Sequence, residues 1–328
     1  MTLSPTELPP DAIGAPGWRE AGLRYFKYSH FLRQRFGGKV HRVTVDGGFT
    51  CPNVDGTVAF GGCVYCDNRS FSPNRRAPRI PIIHQVEKGI QIVEEIFEPE
   101  VYLAYFQAAT NTYASLEKLK RLYDEALANP KIGGLIVGTR PDCVGNDVLD
   151  LLQGYADRYF VAIEYGLQSV NQRSLDWMNR GHDVDCFFDA VERTKGRGID
   201  ISAHVILGLP AETRKDMLAT IDAVNQSGVD GIKLHNLHVV EDTPMAEMYR
   251  RGEIPVMTRD EYVDLIIDVL EHLSPNMVIH RLTGDAPRDY LIEPQWVLRK
   301  AEFLYAMDQE MLRRDSVQGK ALPHPAGY

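Results

Sequence analysis

The chain has 328 residues, 44% of them hydrophobic and 25% charged, with a formal net charge of −9; this is an ordinary globular composition with enough apolar material for a core. No run approaches the roughly 18 consecutive apolar residues of a membrane-spanning helix, and the opening MTLSPTELPPDAIGAPG lacks the basic start and apolar run of a secretory signal. Five cysteines are too few and too scattered for a disulfide framework, so a reducing, cytoplasmic setting is expected, with no membrane attachment.

Residues 1–17 are Pro-rich and read as a mobile leader. From Arg19 to Arg42 seven basic residues face a single acid, Glu20, with Trp18, Tyr25, Phe26, Tyr28, Phe31 and Phe36 among them. One reading is a surface for an anionic ligand or nucleic acid; the other is an amphipathic helix with its aromatics packed inward. Short β-branched runs then alternate with longer amphipathic ones. Strands are expected over 40–45, 101–106, 134–137, 160–164, 200–207 and 231–239, and helices between them over 82–97, 116–128, 148–156, 185–195 and 214–226. Pro, Gly, Asn and Asp mark the joints, as at Asn129-Pro130 and Ser227-Gly228.

This alternation predicts a parallel sheet with helices outside. Six repeats are too few for a closed eight-fold barrel, so the expected fold is α/β, a partial (β/α)6 barrel over residues 18–240. Residues 241–328 change pattern, with helices near 245–251, 259–273 and 296–313 and a short strand at 278–280. They read as an α-rich C-terminal cap packed on the same core. Ligands of such sheets gather beyond the strand C-termini.

Directly after the first strand, Cys51, Cys63 and Cys66 stand in the spacing C-x11-C-x2-C on a Gly-rich loop. Three thiolates on a 4Fe–4S cluster leave one iron without a protein ligand, open to the amino and carboxylate groups of S-adenosylmethionine. On spacing alone two alternatives stand beside this: a zinc site completed by a histidine such as His41 or His84, and three unrelated buried thiols.

Later blocks narrow the choice. Ile163-Glu-Tyr-Gly-Leu-Gln-Ser169, Leu175-Asp-Trp-Met-Asn-Arg-Gly-His182 and His204-Val-Ile-Leu-Gly-Leu-Pro-Ala-Glu-Thr213 resemble the radical S-adenosylmethionine superfamily. Their order is similar to the branch holding the Elongator catalytic subunit and oxygen-independent coproporphyrinogen oxidase, and Gly138-Thr-Arg-Pro-Asp142 resembles the Elongator side. Phe49-Thr-Cys-Pro-Asn53, Gly61-Gly-Cys-Val-Tyr-Cys66, Tyr105-Phe-Gln-Ala-Ala-Thr-Asn-Thr-Tyr113, Lys233-Leu-His-Asn-Leu-His238, Thr243-Pro-Met245 and His280-Arg-Leu-Thr-Gly-Asp285 most resemble the stand-alone YhcC/YtqA-type members. Val54 departs from the Arg expected there, and the chain has no room for an acyltransferase domain like that of the Elongator subunit.

The resemblance implies a 4Fe–4S cluster on Cys51, Cys63 and Cys66, with S-adenosylmethionine as second cofactor and a reducing electron donor as partner. It implies that Tyr65 meets the adenine, and that Gln107, Thr110 and Asn111 after the second strand take the place of the usual Gly-Gly-Glu that binds the methionyl amino group. Gln168 then reaches the ribose, Arg180 the methionyl carboxylate, and His204 a ribose hydroxyl. Arg140 and Asp142 are substrate-side candidates or a structural pair, Glu164 is a lumen-facing carboxylate in need of a partner, and His235 and His238 are lumen candidates. Three functions compete: a radical enzyme on RNA, transfer RNA first, through the Arg19–Arg42 segment and without a DNA role; the same chemistry on a small metabolite or protein; and a non-catalytic iron–sulfur sensor or interaction protein.

Overall fold

The computed structural model describes residues 17–323; the leader expected over 1–17 lies, Gly17 apart, outside them. The strands are β1 (Val40–Val45), β2 (Val101–Phe106), β3 (Ile132–Thr139), β4 (Phe160–Gln168), β5 (Asp200–Leu207), β6 (Gly231–Asn236), β7 (Val239–Val240), β8 (Val278–Arg281) and β9 (Leu291–Glu293). The helices are α1 (Tyr28–Phe36), α2 (Asn68–Phe71), α3 (Ile82–Glu94), α4 (Leu116–Leu127), α5 (Asn146–Ala156), α6 (Gln172–Trp177), α7 (Val184–Thr194), α8 (Arg214–Ser227), α9 (Pro244–Arg250), α10 (Arg259–His272) and α11 (Lys300–Arg313).

Seven strands pair in the order β1-β2-β3-β4-β5-β6-β8, every neighbour parallel, and curl into a half-barrel with helices outside. The six strands expected from sequence are all present. The seventh, β8, lies within the segment read as a cap: Ile232 of β6 pairs with Ile279, so the sheet continues past residue 240. β7 and β9 form a separate antiparallel ribbon. Sequence marks the helix starts well. Ser115, Asp183, Thr213, Thr243 and Thr258 each cap a helix N-terminus with a side-chain oxygen, and Thr213 with Asp216 and Thr258 with Glu261 form complete capping boxes.

The period of two along each strand divides the sheet into two faces. On β4, Val161, Ile163, Tyr165 and Leu167 join the core under the outer helices. Phe160 and Ala162 point the other way, into a cluster with Leu103, Tyr105 and Ile136 that Trp18, Phe26, Tyr28 and Phe31 close from below. The N-terminal end of the lumen is thus stoppered by α1 and the residues before it. This settles the packing of the Arg19–Arg42 aromatics, which face inward. Several of its cations are also engaged within the chain. Arg19 donates to Gln318 O at 3.2 Å and Arg24 to Ser316 O at 2.8 Å, while Arg42 lies over the rings of Tyr28 and Tyr105, 5.5 Å from each centroid.

Candidate cofactor site

The loop from Cys51 to Cys66 is a defined hairpin. Val54 N and Asp55 N donate to Cys51 O (2.8 and 3.1 Å), and Val58 N and Ala59 N to Pro52 O (2.9 and 3.3 Å). Gly61 and Gly62 then take φ of 81° and 78°, a conformation that favours glycine, and turn the chain back so that Gly62 N reaches Asn53 O at 2.8 Å. The Cys63–Cys66 turn closes with Cys66 N on Cys63 O at 3.0 Å. The loop is held from outside: Val64 N bonds Met178 O and Met245 N bonds Val64 O, both at 3.0 Å, and Asn179 Nδ2 donates to Gly62 O at 2.8 Å.

Burial pushes the Cys66 thiol well above its usual range, and Cys63 and Cys51 add to the effect. Cys66 therefore lies in the field of both other sulfurs, and its thiolate would gain from a bound cationic centre. Cys63 is buried and takes two N–H contacts, from Asn53 Nδ2 at 3.6 Å and Arg180 Nη1 at 3.7 Å; such donors to sulfur tune a cluster's potential. Among the described residues no group of three Cys, His, Asp or Glu side chains, the three cysteines included, is placed to hold one metal ion. A cubane spreads its thiolates over separate iron corners, so its mount does not need them to meet at one point.

Arg180 is the pivot. It is 6% exposed, donates Nη2 to Gly166 O at 2.8 Å, and its Nε has no hydrogen-bond partner. A buried guanidinium beside the Cys63 thiol, with Asp142 in its wider field but no carboxylate in salt-bridge range among the described residues, fits a site built for an anionic group. Arg140 holds this loop, donating Nη1 to Arg180 O at 2.8 Å while gripping Asp142 bidentately at 2.9 and 2.7 Å. Arg140 and Asp142 are therefore a bracing pair. Gly166 is required for space: a Cβ there would stand 2.5 Å from Arg180 Nη2 and 2.7 Å from Gln168 Nε2. Gln168, buried at the end of β4, adopts φ of 73°, a left-handed backbone that non-glycine residues adopt at a cost.

Tyr65 is half-buried beside its neighbours Cys63 and Cys66; burial first, then Cys63, raises its hydroxyl well above the usual range. The segment after β2 is left-handed at Ala108 and Ala109. There Gln107 Nε2 donates to Phe71 O at 3.2 Å, Thr110 is buried with Oγ1 unpartnered, and Asn111 Nδ2 donates to Gly138 O at 2.7 Å, leaving Oδ1 unpartnered. Thr110 N also reaches Thr50 O at 3.2 Å, tying this segment to the residue before Cys51. Asn111 serves the β2–β3 joint through its amide nitrogen, while Thr110 Oγ1 and Asn111 Oδ1 are both without a partner among the described residues.

His204 lies farther along the same height of the sheet, paired in register with Gly166 on one side and Lys233 on the other. Its Nε2 is 2.8 Å from Glu164 Oε2. That oxygen also accepts from Tyr105 OH at 2.6 Å and Lys233 Nζ at 2.8 Å, and Lys233 reaches Tyr105 OH at 2.6 Å. Burial opposes the Glu164 charge, but Lys233 and His204 outweigh it and hold the carboxyl well below the usual range. Burial lowers Lys233 to about 7, against the opposite pull of Glu164. Lys233 and Tyr105 were not singled out as site residues from sequence. The available signal was parity: Tyr105, Glu164 and Lys233 all occupy inward positions of their strands.

A family model described as the radical SAM superfamily matches residues 58–224, and one for a radical SAM C-terminal domain matches 229–313. The chain is 40% identical over 300 residues to the uncharacterized protein YtqA of Bacillus subtilis, covering 90% of this chain and 92% of that one. It is 26% identical to a tRNA uridine(34) acetyltransferase of Methanocaldococcus infernus over 64% of this chain and 39% of that protein. The fold matches the archaeal Methanocaldococcus infernus Elp3 with a TM-score of 0.64 at 18% identity, covering 85% of this chain and 64% of that chain. Cysteine loop, half-barrel and sequence matches agree: the chain belongs to the radical S-adenosylmethionine superfamily, beside the YtqA-type proteins.

Proposed function

We propose that this chain is an enzyme holding a 4Fe–4S cluster on Cys51, Cys63 and Cys66 and acting on a substrate that enters the lumen from the strand C-termini. When bound, the cluster supplies the electron that cleaves S-adenosylmethionine to methionine and a 5′-deoxyadenosyl radical. Arg180 binds the methionyl carboxylate, Gln168 and His204 orient the nucleoside end, Tyr65 covers the adenine, and Gln107 and Thr110 offer acceptors to the methionyl amine. Asn53 Nδ2 and Arg180 Nη1 donate toward Cys63 Sγ. The aromatic stopper below excludes water from the far end. The observation that carries the proposal is Arg180, a buried cation whose Nη1 lies 3.7 Å from Cys63 Sγ and whose Nε has no hydrogen-bond partner among the described residues.

RNA is the first substrate class to test, because one relative carries the name of a tRNA uridine acetyltransferase. The basic Arg19–Arg42 segment adds less support than its charge suggests, since part of it is bonded internally. The test is anaerobic: reconstitute with iron and sulfide, reduce, add S-adenosylmethionine with and without small RNA, and quantify 5′-deoxyadenosine. RNA-stimulated cleavage supports an RNA substrate. Cleavage indifferent to RNA turns the search to metabolites and proteins. No cleavage with an intact, reduced cluster overturns the enzyme reading in favour of a sensor.

A further inference from the structure

The seven-stranded sheet has β1 and β8 as its end strands, and each sends an arginine into the lumen. On β1, Val43 and Val45 belong to the core under the outer helices, so the period of two turns Arg42 inward. It lies 5.5 Å from the ring centroids of Tyr28 and Tyr105. On β8 the cause is a slip of register. Ile279 pairs with Ile232 but Arg281 with Lys233, so His280 is an extra residue that re-aims its neighbour. His280 Nδ1 stands 3.7 Å from Glu164 Oε1, while the Arg281 charge acts on His204, Lys233 and His235.

In this layer the cations outweigh their partners. Glu164 Oε2 is already shared among Tyr105, His204 and Lys233. Arg281 gives Nη2 to Asp285 at 2.7 Å, a carboxylate 45% exposed at the rim and shared with Lys300. A further carboxylate, Asp200, lies toward the stopper, where it acts on Tyr28. Arg42 has no carboxylate in salt-bridge range among the described residues, and its Nη1 is buried without a hydrogen-bond partner, as is His235 Nε2. Burial lowers Lys233 to about 7, and Arg281 and Arg42 add to this against Glu164. His235 is held well below its usual range by burial and then by Arg281, and every leading influence on it has that sign. Both groups therefore sit in a positive field. The layer is open to the upper lumen, since the Arg281 and His204 side chains are 24% and 20% exposed.

We propose that this layer is an anion subsite for the substrate, taking an oxyanion between Arg42 and Arg281 and over Lys233, with His235 Nε2 as a neutral donor. The donors suit that group. An ammonium has three N–H bonds, and two of those on Lys233 go to Tyr105 and Glu164. A guanidinium binds carboxylate or phosphate through paired N–H groups, and an oxyanion would give the buried Arg42 Nη1 an acceptor whose lack is costly. The subsite is separate from the one assigned to the methionyl carboxylate, because Arg180 is turned to Cys63 and Gly166 O. The inference rests on the function proposed above, in which the substrate enters the lumen, and it adds the charge that the substrate carries there. Two sources share this chemistry: a phosphate, as in a nucleotide, and the carboxylate of a small metabolite.

The test uses full-length protein without iron, labelled with ¹⁵N in arginine and histidine. Inorganic phosphate and acetate are titrated separately at constant ionic strength, with chloride making up the balance. Saturable shifts are expected at the Arg42 and Arg281 Nε signals and at the His235 ring. Arg42→Gln and Arg281→Gln, each checked for fold by circular dichroism, should weaken binding about tenfold or more. Arg281 is near the rim, so Arg281→Gln decides if Arg42→Gln does not fold. A folded Arg180→Gln should bind the anion as wild type does. The tighter of the two anions names the source, phosphate for a nucleotide and acetate for a carboxylated metabolite. No saturable shift with either anion, the same response to chloride, unchanged affinity in the folded Arg281→Gln variant, or loss of binding in Arg180→Gln overturns the subsite. Wild type that binds neither anion could still cleave S-adenosylmethionine after reconstitution, and wild type that binds one could fail to, so the two readings fall separately.

Discussion

The two ends of the lumen are built from the same strands on the same period, yet they follow opposite rules. At the lower end β4 turns Phe160 and Ala162 inward onto Tyr28 and Phe31. Four residues farther along, the same face carries Glu164, then Gly166, then Gln168 in a left-handed conformation. Below, side chains fill space and the backbone is regular. Above, a side chain is missing where Arg180 must lie and the backbone is strained where Gln168 must turn. The difference teaches that stability and chemistry are segregated along one strand, with the Glu164–Lys233 layer as the border.

Substitutions at the two ends should therefore fail in different ways. The largest effect is expected above. Cys63→Ala should lower 5′-deoxyadenosine formation at least about 1000-fold, roughly 4 kcal/mol of barrel-independent activation free energy, with cluster absorbance lost and far-UV circular dichroism retained. At the border, Glu164→Leu strands Lys233 and should destabilise the iron-free protein by about 3–5 kcal/mol in urea unfolding; adding Lys233→Met should recover most of this. Below, Phe31→Ala should cost about 3 kcal/mol and leave cleavage per folded molecule unchanged at low temperature. Loss of cleavage in that variant would dissolve the proposed separation of roles.

Gly166→Ala sharpens the comparison within the upper end. Its methyl displaces Arg180 and Gln168, so KM for S-adenosylmethionine should rise roughly tenfold, about 1.4 kcal/mol, with kcat changing less. The smallest effect is on pH dependence, and it opposes the two ends of β5. Burial and then Asp230 raise Asp200 to about 7, so the folded state keeps a proton that the unfolded state releases, and stability from this group falls as pH rises from about 4 to 7. His204 is lowered to about 4, so the unfolded state binds the extra proton, and stability from it rises between about 4 and 6.5. Relative to wild type, Asp200→Asn should steepen the rise of stability with pH and His204→Phe should flatten it, each read as a change of slope in urea unfolding across its window.

Most strands were legible because their apolar runs end at Gly, Pro or Asn, and most helices because a Ser, Thr or Asp opens them. β8 was assigned to the cap since four residues after α10 carry no sign of which sheet they join. Arg180 and Gln168 could be picked from their motif, but the reason for Gly166 beside them could not, because that space is claimed by side chains distant in sequence. Lys233 reads as a lone charge in an apolar strand until the barrel brings Glu164 opposite it. Asn53 stood in a quoted motif without a role, and only folding shows its amide on Cys63.

The stopper at the lower end is fastened by residues far along the chain. Trp18 Nε1 donates to Pro275 O at 3.1 Å, Phe26 N to Gln318 Oε1 at 2.8 Å, Gln318 N to Arg24 O at 2.9 Å, and Ile279 N to Phe26 O at 2.8 Å. During synthesis the segment around α1 therefore leaves the ribosome some 250 residues before its partners exist, at ~5–20 residues per second. For those seconds its aromatic face lacks the fastenings that residues 275–318 supply. Nascent chains stalled before residue 275 should bind hsp70-type chaperones through residues 18–36, and chains released after residue 318 should not.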